Sequence, residues 1–115
     1  DRFVATWEET GEIPPRCPHC GGLLRPGVVW FEEALPEAES TAAVAASRNC
    51  DLFLSIGTSS VVYPAASLPF EAAGNGVPVV EINPEATPMT RRADYVLQGA
   101  AGVVLPKLVE TMERD

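Results

Sequence analysis

At 115 residues, with 46% hydrophobic and 21% charged side chains, the chain is long enough for one packed domain, or one and part of another, and too apolar for disorder. A net charge of −8 disfavours direct nucleic-acid binding and favours cationic partners. No apolar run approaches a membrane span and no export signal opens the chain, so a cytoplasmic place is expected; three cysteines fit a reducing compartment better than a disulfide framework.

Residues 1–36 read as an irregular module with no lasting period of 2 or 3.6 and little core of its own, the setting in which a bound metal contributes folding free energy. Within it "CPHCGG" places Cys17 and Cys20 at the spacing that grips one zinc, with glycines after them for a tight knuckle. A redox pair is the rival reading, but such pairs open a helix after a strand, whereas Pro15, Gly21 and Gly22 surround this one. A structural zinc needs four donors. His19 lies between the cysteines, poorly placed to share their metal, and Cys50 reads as a small buried apolar residue, so one ligand pair is missing. "GVVWF", Gly27 to Phe31, is a β-prone run. Glu32 and Glu33 follow it; neighbours in an extended segment point to opposite sides, so a shared acid–base dyad is not expected.

From Glu37 the pattern changes. "EAESTAAVAASRNC" is helix-prone behind Pro36, and "DLFLSIG", Asp51 to Gly57, reads as a strand buried on both faces. "YPAASLPFEAAGNG" is a helix that Pro69 should bend or split and that Gly74 or Gly76 ends. "VPVVEIN", Val77 to Asn83, and "DYVLQG", Asp94 to Gly99, are two further strands. "AGVVLPKLVETMERD" is a closing helix in which Pro106 is tolerable only near the first turn. This alternation predicts an α/β fold with a parallel sheet, whose ligands bind at the carboxyl ends of the strands: "GTSS", "NPE" and "QGAAG". Glycine followed by hydroxyls can offer N–H and O–H groups to phosphate or ribose, or can be ordinary turn chemistry. The sole histidine lies in the knuckle, so the residues show no evident general base.

Taken in order, "CPHCGGLLRPGVVWF", "CDLFLSIGTSSVVYPAASLP", "VVEINPE" and "QGAAGVVLP" resemble the sirtuins, NAD-dependent protein-lysine deacylases, over nearly the whole chain. The similarity is strongest to the bacterial branch related to the mitochondrial desuccinylase. It implies the C-terminal part of a Rossmann-like domain over residues 37–115 and half of a zinc ribbon, with the substrate segment, over residues 1–36. It implies Cys17 and Cys20 as the second pair of a zinc site whose first pair precedes Asp1. Gly57, Thr58 and Ser59 would line the adenosine and phosphate part of NAD, Asn83 its adenine ribose with Glu85 in the same loop, and Ala101 the adenine. Val29, Trp30 and Phe31, opposite Val62 and Tyr63, would hold an acyl-lysine peptide as an added β-strand. Two departures stand out. Glu32 occupies a family glycine position, where backbone clearance and φ freedom matter. The catalytic histidine, the glycine-rich phosphate loop and the acyl-selecting residues would all lie upstream, and with Asp1 in place of Met this predicts an inactive piece of a longer enzyme. The alternative is a non-catalytic module that binds nucleotides or forms a homodimer through one zinc shared between two knuckles.

Overall fold

The computed structural model describes residues 13–114, which divide into two compact units at the boundary between Leu35 and Pro36. In the first, the described residues form turns and one antiparallel bridge between Arg16 and Leu23. The β-prone run Gly27–Phe31 is not a strand: it forms a bend and enters a turn at Phe31–Glu32. Side-chain contacts described below override its local propensity.

The second unit is a three-stranded parallel sheet with helices. Its elements are α1 (Glu37–Asn49), β1 (Phe53–Ile56), a 3-10 turn (Ala65–Ser67), α2 (Leu68–Gly74), β2 (Val79–Asn83), β3 (Tyr95–Gln98) and α3 (Ala101–Met112). The strand order is β1-β2-β3, with Phe53 opposite Val79 and Val80 opposite Tyr95. Pro36 caps α1, consistent with its fixed φ. Pro69 splits the second helical segment as expected: 3-10 geometry precedes it, and it sits in the first turn of α2, where a missing N–H is harmless. α2 ends at Gly74, with Gly76 following at φ 78°.

The core lies between the sheet and the α1–α2 side: Ala72, Val77, Val79 and Met89 are buried, with Phe53, Phe70 and Cys50 packed against them. Burying such side chains stabilises by about 1.5–3 kcal/mol each. β2 is buried along most of its length. Two expectations are corrected here. β1 is covered on one face only; Ser55 is buried, whereas Leu54 and Ile56, on the opposite face, remain exposed among the described residues. Pro106 sits at the sixth residue of α3, not in its first turn, and the helix continues to Met112. Among the described residues, no helix is long and apolar enough to cross a membrane.

Candidate functional site

The described residues carry three groups of interest, two in the first unit and one in the second. In the first unit, the Arg16–Leu23 bridge closes a knuckle. Cys17 N–H donates to Gly22 O at 2.8 Å and Gly21 N–H to Cys17 O at 2.9 Å. Gly21 takes φ 69°, the left-handed geometry that glycine adopts without penalty. The N–H groups of His19 and then Cys20 point at the Cys17 sulfur and hold its thiol below the ordinary value. That favours the thiolate, the form that binds metal. The knuckle therefore suits zinc as two of four donors; among the described residues no third His, Cys, Asp or Glu joins them.

Further along, Arg25 organises the turn that carries Val29, Trp30 and Phe31. Its guanidinium forms a fork with Glu33, at 2.5 Å to Oε1 and 2.9 Å to Oε2, and donates to Val28 O at 2.8 Å. The same guanidinium lies 4.3 Å from the centre of the Trp30 ring, a cation–π contact. Glu33 Oε2 also accepts the Trp30 N–H at 3.0 Å, while Glu33 N–H donates to Trp30 O at 3.2 Å. The Arg25 hydrogen bonds, followed by the Trp30 N–H, lower the Glu33 pKa to about 2. Trp30 thus has both main-chain groups engaged within its own turn, and Phe31 is 86% exposed beside it. Glu32 occupies φ 71°, so the position does call for the conformational freedom of glycine. Glu32 and Glu33 do not form a dyad, since Glu33 is committed to Arg25.

In the second unit, the three strand ends are cross-linked. Gly57 N–H donates to Ile82 O at 2.9 Å, and the Asn83 Nδ2 donates to Thr58 O at 2.7 Å, tying the loop after β1 to the end of β2. Gly99 N–H donates to Asn83 O at 3.0 Å, and Gln98 Nε2 to Pro84 O at 3.2 Å, tying in the end of β3. With one Nδ2–H donated to Thr58 O, Asn83 keeps Oδ1 as an acceptor and a second N–H as a donor. Gly57 has φ 60°, and a Cβ built there would meet nothing within 4 Å, so the backbone at this point borders open space. The Ser60 N–H donates to Thr58 Oγ1 at 3.2 Å, and the Ser60 hydroxyl is buried without a protein partner. A buried unpaired hydroxyl is costly, and a ligand or water that reaches it relieves that cost.

The structure therefore brings Gly57, Thr58 and Asn83 together, and joins them through Gln98 and Gly99 to Ala101, the first residue of α3. In the first turn of that helix the Val103 and Val104 N–H groups donate to Ala100 O at 2.9 and 3.0 Å, while the Ala101 and Gly102 amides precede the first helical acceptor. Ser59 and Glu85 are exposed on the same loops, and Val62 and Tyr63 are exposed beyond Ser60. Three groups escaped the sequence reading. Glu81 lies 1% exposed in β2 and accepts from the hydroxyls of Thr87 and Thr90. Gln98 and the Arg25–Glu33 fork are the others. The signal for Glu81 was present: a carboxylate between Val80 and Ile82 in an apolar central strand needs partners.

This arrangement has counterparts in known proteins. The model of the Sir2 family matches residues 4–64. An NAD-dependent protein deacylase of Pyrococcus furiosus is 56% identical over 108 residues, 94% of this chain and 43% of the relative. The solved structure of a Sir2 homologue in complex with NAD superposes at a TM-score of 0.81 with 47% identity, covering 87% of this chain and 39% of that one. Another, Sir2Af2 bound to a myristoylated histone peptide, gives a TM-score of 0.80 with 41% identity over 88% of this chain and 43% of that one. The chain spans about two-fifths of the length of the curated relatives it matches, which bear 40–43% of their length in common with it. The family-model match, carried through the strand-end loop by the likeness in both sequence and fold, shows that this chain belongs to the Sir2 family.

Proposed function

We propose that the chain contributes the adenosine-side NAD site, the peptide-binding segments and part of a structural zinc site to a protein-lysine deacylase. The observation that carries this reading is the Asn83–Thr58 tether, which fixes two strand ends and leaves Asn83 Oδ1 for a ribose hydroxyl. Gly57 and Ser59 lie on the loop that would follow the phosphates, the buried Ser60 hydroxyl offers a further donor, and Glu85 and Ala101 flank the adenosine. Bound NAD supplies a cleavable bond between nicotinamide and ribose, so that the acyl group is transferred to ADP-ribose and nicotinamide is released. This chain's own residues bind and orient. Its sole histidine is on the knuckle, so the 115 residues alone hold nucleotide without turnover. In the first unit Val29, Trp30 and Phe31, and in the second unit Val62 and Tyr63, are the segments that would contact an acyl-lysine peptide, and the net charge of −8 suits lysine-rich substrates. Cys17 and Cys20 hold zinc with a second cysteine pair.

Titration of ADP-ribose into the 15N-labelled chain tests the nucleotide reading. Amide shifts confined to Gly57–Ser60, Asn83–Glu85 and Gly99–Ala101 are expected; saturable shifts elsewhere, or none, overturn it. NAD with an acylated peptide should yield no nicotinamide from the chain alone. Native mass spectrometry distinguishes the sources of the second thiol pair: one zinc per two chains, with dimers, favours a knuckle completed between copies.

A further inference from the structure

We propose that Glu81 is a positioning residue for the nucleotide loop, a role that rests on the reading of the strand ends as an NAD site. Glu81 is 1% exposed in the central strand, where an unpaired carboxylate would be costly. Both of its oxygens are satisfied by the loop that follows. The Thr87 hydroxyl donates to Oε1, and the Thr90 hydroxyl donates to Oε2 at 2.5 Å. Each hydroxyl in turn accepts a backbone N–H: Met89 N–H donates to Thr87 Oγ1 at 3.0 Å, and Thr87 N–H to Thr90 Oγ1 at 2.8 Å. Two relays thus run from loop backbone through hydroxyl to carboxylate, and they fix residues 87–90 to β2.

The consequence falls on the segment between. Asn83 is held by Gly99 N–H and by its own bond to Thr58, and Pro84 by Gln98. Glu81 supplies the anchor at the far end. Only Glu85 and Ala86 lie between the Pro84 and Thr87 anchors, so the nucleotide-facing span is short and held on both sides. A loop fixed before its ligand arrives avoids the entropy cost of ordering it on binding. An apolar residue at position 81 would lose this anchor and leave the Thr87 and Thr90 hydroxyls without their acceptor.

The test is ADP-ribose binding followed by 15N NMR on the 115-residue chain, at a temperature where each variant is fully folded. Glu81→Gln replaces one acceptor by a donor; the double variant Thr87→Val with Thr90→Val removes both hydroxyls at nearly constant shape. Each is expected to raise the ADP-ribose Kd about tenfold, equivalent to about 1.4 kcal/mol, and to broaden the Glu85 and Ala86 amides before ligand is added. Thr87→Ser with Thr90→Ser restores the hydroxyls and should bind within about twofold of wild type. Val79→Ala, a core change on the same strand, controls for lost stability and should leave the Kd of the folded chain unchanged. Wild-type affinity in the Gln and Val variants overturns the proposal, as does an equal loss in Val79→Ala. A wild-type chain that binds no ADP-ribose refutes the underlying nucleotide reading instead, and broadening of Glu85 and Ala86 in the variants would still report the anchor separately.

Discussion

Replacing Asn83 separates the two tasks assigned to its amide. In Asn83→Ala the bond to Thr58 O is lost and so is Oδ1. The first loss costs about 1 kcal/mol of stability, since Thr58 O sits on an exposed loop and regains water. For nucleotide binding both losses count, together about 2 kcal/mol, or roughly a 30-fold higher ADP-ribose Kd. Asn83→Asp is the informative companion. It keeps an acceptor for a ribose hydroxyl but sets a carboxylate against the Thr58 carbonyl, where the amide had donated at 2.7 Å. It should therefore destabilise at least as much as alanine, and the amides of Thr58 and Ser59 should shift. Urea unfolding gives the stability arm and 15N NMR titration the binding arm. The reasoning is refuted if Asn83→Ala binds ADP-ribose within about threefold of wild type, well under the change two lost hydrogen bonds should cause.

Three other outcomes are expected. Because folding lowers the Glu33 pKa from 4.5 to about 2, the Arg25 fork contributes fully above pH 4.5 and is lost as pH falls through about 2; carboxyl 13C NMR should titrate near the lower value, and in Arg25→Gln should return towards the ordinary range. Glu32→Gly relieves a left-handed residue at φ 71° but adds unfolded-state freedom, for a net gain of about 0.5–1 kcal/mol; exchange of the Glu33 amide should slow about two- to fivefold, and faster exchange would contradict the strain argument. Gly99→Ala brings a Cβ to 2.8 Å from Val104 Cγ2, and a valine in a helix has few rotamers to yield with; a loss of about 1–3 kcal/mol is expected in thermal unfolding, and an unchanged Tm would show that α3 shifts freely.

How far the sequence reached depends on the range of the contacts involved. "VPVVEIN" was legible as a buried strand because its neighbours on both sides are in the chain, and Pro69 was legible because helix breaking is local. "DLFLSIG" was over-read: an apolar run gives the capacity for burial on two faces, whereas coverage depends on what packs there, and Leu54 and Ile56 stay exposed. "GVVWF" failed for a different reason. Its β propensity is weaker than a fork formed from Arg25 to Glu33, eight residues away, which draws the segment into a turn. At the strand ends the glycine, the hydroxyls and the asparagine were visible as types. Their connection was not, because Asn83 and Thr58 are 25 residues apart and meet only once β1 and β2 are paired in register.

The peptide that follows Asn83 also bears on how the molecule ages. An asparagine deamidates fastest when the backbone nitrogen of the next residue attacks its side-chain carbonyl, and Pro84 has no N–H with which to do so. The amide that joins the strand ends is thereby shielded from slow conversion to aspartate. Asn75, exposed and followed by Gly76, has no such shield. Deamidation there would fall on a turn whose side-chain amide donates to Glu71 O, away from the residues that tie the sheet's carboxyl ends together.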